Sequence, residues 1–75
     1  LQSNEEFVQR LSKKYPILTS KDIKLCIYLR MNLSSKEIAP LMNISFRGVE
    51  LHRYRLRKKI GLTSDDSLSK FMINT

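Results

Sequence analysis

Acids, glycines and cysteine are scarce in this chain, and each shortage excludes something. Seven Asp and Glu stand against fourteen Lys and Arg, a net charge of +7 over 75 residues. So large an excess on so short a chain points to an anionic partner. A single cysteine forms no internal disulfide, and one Cys with one His does not complete a zinc site. No apolar run approaches the roughly 20 residues of a membrane span, and no signal peptide is visible. The sequence offers no nucleophile beside a base, no paired carboxylates for a cleft and no glycine-rich phosphate loop. We therefore expect no enzyme, no cofactor and no small-molecule substrate. The chain opens with Leu1 rather than Met, which we read as a piece of something longer. We expect residues 1–75 to form one domain, small enough that every element must contribute to a single core.

Only two glycines and two prolines punctuate the sequence, and no stretch alternates apolar with polar residues, which leaves helical periodicity as the dominant signal. Ser3 and Glu6 have capping-box spacing. Behind them Phe7, Val8, Leu11 and Tyr15 share one face until Pro16, predicting a first helix over about residues 4–14. Thr19 with Asp22, and Ser34 with Glu37, repeat the box. Each has an apolar pair at staple spacing, Leu18 with Ile23 and Leu33 with Ile38. Ser45 caps another start, with Ile44 and Val49 as its staple. A second helix over about 20–31 is apolar nearly all round and should be central. A short third, about 35–42, should turn Ile38, Leu41 and Met42 inward, with Pro40 weakening its last turn. A long fourth, about 46–60, should close at Gly61, and a last one over about 65–73 carries Leu68, Phe71 and Met72 on one side. Asn32 suits the left-handed end of the second helix.

A short helix and a tight turn leading into a longer, more basic helix form a helix-turn-helix, whose second helix lies in a DNA major groove. With Val49 at zero and about 100° per residue, Leu56 falls at about −20° and Ile60 at about +20°, with His52 and Arg53 on the flanks. The opposite side collects Tyr54, Arg47, Lys58, Leu51 and Arg55 between about 140° and 240°. Residues 46–60 hold six Lys or Arg and one acid. We therefore expect Glu50, Leu51 and Tyr54 against bases, Leu51 on a thymine methyl and Glu50 accepting from cytosine. Lys36, Arg47, Arg55 and Lys58 should meet phosphates, as should Ser45 at the start of the helix. A charged helix face is more often merely solvated; here the turn, the caps and the exposed Leu51 and Tyr54 favour duplex DNA.

Leu18-Thr19, the run Leu33 to Ala39, Asn43-Ile44-Ser45, Val49-Glu50, His52 and Lys59-Ile60-Gly61-Leu62 together resemble the LuxR-type (GerE-like) DNA-binding domain. The resemblance covers residues 18–62, with agreement in spacing across both helices and both turns. It implies an all-α fold: a tri-helical helix-turn-helix core over 18–62, an extra N-terminal helix over 1–16 and a C-terminal helix over 63–75. It also implies a sequence-specific, double-stranded-DNA-binding output module of a bacterial transcriptional regulator. The family's base-reading positions fall on Glu50, Leu51 and Tyr54. Members commonly dimerise through the last helix; of Leu68, Phe71 and Met72 here, we expect some to pack on the core and the remainder to form the two-fold interface. Lys24 stands where the family usually has an acid, Asn32 where it has Gly and Gly48 where it has Thr. Glu50 stands where many members have Lys, so base preference does not carry over. Residues 15–19 and 53–59 look closest to a subgroup in which the module ends long sensor-regulators. That implies sensory or receiver domains in a longer parent chain of one- or two-component type. It also implies action at the nucleoid in the cytoplasm, with a parent that can be membrane-anchored.

Other readings stay open at this level. A protein-interaction module would use the last helix and the Leu51/Tyr54 patch. An RNA binder is disfavoured because no sheet with stacking aromatics is present. His52 is read as a packing or phosphate-contacting residue rather than a ligand. Cys26 is read as a small core residue, and Phe7, Tyr15 and Phe71 as core. Glu37 either pairs with Arg53 or Lys59 or serves only as a cap.

Overall fold

The computed structural model describes residues 4–63 and 66–75. Among these the chain forms five helices and no strand: α1 (Asn4–Lys14), α2 (Ser20–Arg30), α3 (Ser35–Met42), α4 (Phe46–Ile60) and α5 (Leu68–Ile73). The expected box between Ser3 and Glu6 falls partly outside the described residues.

Local chemistry sets most boundaries. Thr19 and Ser34 accept the amides of Asp22 and Glu37, and both carboxylates reach back to the cap amides, so two complete boxes start α2 and α3. Ser45 accepts the Gly48 amide at 3.0 Å to start α4. Three helix ends also share one motif. Asn32, Asn43 and Gly61 sit at φ of +62°, +55° and +76°. In each case the next residue's amide reaches back five positions: Leu33 to Tyr28, Ile44 to Ala39, Leu62 to Arg57. This left-handed closure satisfies carbonyls that the helix leaves open. Asparagine tolerates that conformation because its short polar side chain bonds locally.

The central α2 touches all four other helices, and α3 packs on α4. The buried core draws on every element: Phe7 and Leu11, then Leu25, Cys26 and Leu29, then Ile38 and Ala39, then Val49, Leu56 and Ile60, then Leu68 and Met72. Arg30 lies over the Phe7 ring at 4.7 Å and donates to Asn4, fixing α1 on α2. Tyr15 meets Phe71 with ring centroids 6.3 Å apart.

Two expectations are corrected here. Leu41 is exposed, and Ala39 takes its place in the core. The buried arc of α3 is centred between Ile38 and Ala39, and Leu41 lies about 110° away from it. The last helix begins at Leu68 rather than near 65, because Ser67 accepts the Lys70 amide as its cap. Asp66 is held outside that helix, its carboxylate engaged by the amide and hydroxyl of Thr63. Asp65 itself lies outside the described residues. Pro40, by contrast, does not end α3, which continues to Met42.

Burial, and then the nearby Asp22 charge, pushes the Cys26 thiol up to about 12. The thiolate is the reactive form. A thiol-reactive dye at pH 8 should therefore label Cys26 only at the rate of unfolding, and fully in denaturant. Stoichiometric labelling within seconds on the folded chain would contradict this packing.

Candidate nucleic-acid interface

Capping at Ser45 and closure at Gly61 leave α4 as the longest helix of the domain, turned by Val49, Leu56 and Ile60 onto the core. Its opposite face therefore carries Arg47, Leu51, Tyr54, Arg55 and Lys58, all exposed. Leu51 is 49% and Tyr54 55% accessible. Lys58 sits over the Tyr54 ring at 4.8 Å, one turn further along. That contact holds the aromatic upright on a surface where burial does not hold it.

The six cations of α4 divide evenly. Arg53 faces Glu50 at 3.9 Å. Arg57 donates to the carbonyls of Thr63 and Asp66, pinning the loop before α5. Lys59 bonds Asp22 at 2.5 Å. Arg47, Arg55 and Lys58 have no carboxylate partner among the described residues, and all three lie on the outward face. Lys36, on the first turn of α3, is likewise exposed and has no ion pair among the described residues. Ser45 is exposed with its oxygen already accepting Gly48, and the first turn of α4 carries no acid. That helix end is left with the positive pole that suits a phosphate.

Glu50 is placed differently from the other expected base-reading residues. Its Oε2 accepts from the Ser35 hydroxyl on α3, and Arg53 Nε lies 3.9 Å from the same oxygen. It thus lines the flank of α4 rather than its crest, in a cleft of about 540 Å³ shared with Glu37, Arg53 and Arg57. Glu37 closes its capping box and pairs with neither Arg53 nor Lys59.

The expected two-fold surface needs a firmer correction. Leu68 and Met72 are sealed in the core at 1% and 0% exposure, so neither is available to a second copy. Phe71 is half-buried, and Ile73 is the apolar residue of α5 left outside.

One cluster escaped sequence reasoning altogether. Asp22 is only 3% exposed. Its carboxylate meets His52 Nε2 at 2.8 Å and Lys59 Nζ at 2.5 Å while also closing the Thr19 box. Burial raises its pKa, but Lys59, the Thr19 amide, His52 and the Thr19 hydroxyl outweigh that and hold it well below the ordinary carboxylate range. The cluster ties the start of α2 to two points on α4 about two turns apart and so helps set the angle at which α4 is presented. Its partners are 30 and 37 residues away from Asp22, beyond the reach of any local spacing rule.

Among the described residues no group of His, Cys, Asp and Glu is placed to hold a metal. Among the same residues no helix is long and apolar enough to cross a membrane.

A family model described as bacterial regulatory proteins, luxR family, matches residues 16–72. The transcriptional regulatory protein TdiR of Thauera aromatica is 38% identical over 56 residues, covering 75% of this chain and 25% of that protein. The chain thus spans about a quarter of this relative's length. No solved structure matches the chain significantly.

Proposed function

Because the chain belongs to the LuxR family of bacterial regulatory proteins, we propose that it reads a specific DNA sequence by seating α4 in the major groove. A DNA-binding regulator domain of this family carries out no catalysis of its own. The observation that carries the reading is the outward face of α4, where Arg47, Arg55 and Lys58 have no carboxylate partner among the described residues and flank the exposed Leu51 and Tyr54.

Roles follow from position. Leu51 and Tyr54 stand on the crest and meet base edges, Leu51 against a thymine methyl. Arg47, Arg55, Lys58, Lys36 and the Ser45 end of α4 meet phosphates. Glu50 reaches a cytosine only by releasing Ser35, so its contribution to base choice is conditional on that exchange. Two copies on adjacent half-sites, about one helical turn apart, would bring their last helices together through Phe71 and Ile73. As the output end of a longer cytoplasmic regulator, of one- or two-component type, the domain would be positioned by sensory or receiver domains elsewhere in that chain.

Selection of preferred sites from random duplexes is the test. The wild type should enrich one short motif. Tyr54→Ala should enrich a different or degenerate motif, losing about tenfold or more in discrimination. Lys58→Ala should keep the motif and weaken every duplex alike. If both variants change the motif equally, the division between crest and phosphate contacts is wrong. If no motif is enriched, so is the specificity.

A further inference from the structure

The two flanks of α4 carry different charge. On the α3 side, Glu37 and Glu50 balance Arg53 and Arg57 across their cleft. On the α2 side lies a cleft of about 440 Å³ that includes Lys21, Lys24, Leu51, Arg55 and Lys59. The acid facing it, Asp22, is buried, paired with Lys59 and hydrogen-bonded to His52. Lys21 and Lys24 are exposed and have no carboxylate partner among the described residues. They lie three residues apart on α2, close enough to act together. The cleft therefore holds three uncompensated cations, Lys21, Lys24 and Arg55. Its lining includes Leu51 and Arg55 of the outward face, so it is continuous with the face proposed for base contact.

We infer that this cleft is a second backbone track, in which Lys21 and Lys24 grip phosphates of the strand that borders the groove occupied by α4. The inference rests on the α4 reading and adds to it. A helix with side chains is about 10–12 Å across, and the major groove is about 12 Å wide. A seated α4 thus fills the groove, and the bordering strands must run along its flanks. The flank toward α2 presents positive charge alone, whereas the flank toward α3 presents balanced charge. The strand on the α2 side is therefore held electrostatically. Lys21 and Lys24 extend the footprint beyond the helix-turn-helix itself without adding sequence information.

The test is duplex affinity of the 75-residue chain against salt, for the wild type and for Lys21→Gln/Lys24→Gln. Both side chains are exposed, and far-UV circular dichroism establishes that the variant folds. Six cations, counting Lys36, Arg47, Arg55 and Lys58, predict a fall of roughly a thousandfold from 50 to 200 mM salt, and four predict about a hundredfold. The double variant should therefore show a salt dependence shallower by about tenfold over that range, with the same preferred motif. An unchanged salt slope in a variant that still binds would overturn the second track and leave the α4 reading intact. A changed motif would overturn it too, by making these lysines readers. A wild type without duplex binding would remove both.

Discussion

Replacing Asp22 by Ala is expected to lower the stability of this domain by about 3 kcal/mol, the lower end of the range for breaking a buried ion pair from one side. The lower end applies because the orphaned partners are not fully enclosed: side-chain exposure is 17% for His52 and 30% for Lys59, so both recover some water. The lost cap on α2 is part of the same figure. Domains of this length are stable by roughly 4–11 kcal/mol, so a loss of that size shifts the thermal midpoint by about 12–24 °C. Calorimetry or a circular-dichroism melt reads it directly. A shift under about 4 °C would mean that the cluster is incidental to the fold.

The same carboxylate fixes the sign of the acid response. Its folded-state pKa lies below its ordinary value of 3.8. The stability it confers is complete above about pH 4 and is lost as pH falls from there toward the folded value. Asp22→Asn has no proton to gain, so its stability should start lower at neutral pH and lose less than the wild type below about pH 4. Parallel curves for the two proteins would contradict the assignment.

Affinity for duplex DNA is expected to fall roughly a thousandfold between 50 and 200 mM salt, since Lys21, Lys24, Lys36, Arg47, Arg55 and Lys58 would each displace condensed counterions. The three other cations of α4 are engaged within the fold and should contribute little. Arg53→Gln and Arg57→Gln are accordingly expected to leave the salt slope almost unchanged, although Arg57→Gln frees the loop before α5. Fluorescence anisotropy with a labelled duplex at four or five salt concentrations yields the slope. A fall of about a hundredfold would restrict the phosphate contacts to α3 and α4. A flat response would favour a protein partner for the Leu51/Tyr54 surface.

How far these features were legible in the sequence depends on the range of the interaction behind each. The starts of α2, α3 and α4 were readable because Thr19, Ser34 and Ser45 each capture an amide three residues away. The crest of α4 was readable for the same reason: its rotation follows from Val49, Leu56 and Ile60, all on one helix. Leu41 was misplaced because a short helix offers too few apolar positions to fix the centre of its buried arc. The ends of side chains were less legible still. Glu50 appeared free until α3 supplied Ser35, and Glu37 was open to Arg53, to Lys59 or to a cap alone until α2 supplied Asp22 to Lys59. Which of Leu68, Phe71 and Met72 turn inward was not legible, because their pattern marks an apolar face without saying what covers it; α2 packs against α5.

By itself, then, the sequence determined that this chain is helical, where most helices begin and end, and that the outer side of the longest one is basic, because caps and periodicity act within a few residues. The tertiary structure alone decided which of those cations remain available. It engaged Arg53, Arg57 and Lys59 internally, left Lys21 and Lys24 beside α4, and buried Asp22 between two helices. Those outcomes depend on Coulomb and hydrogen-bond partners that only packing brings within a few ångströms, and no spacing along the chain encodes them.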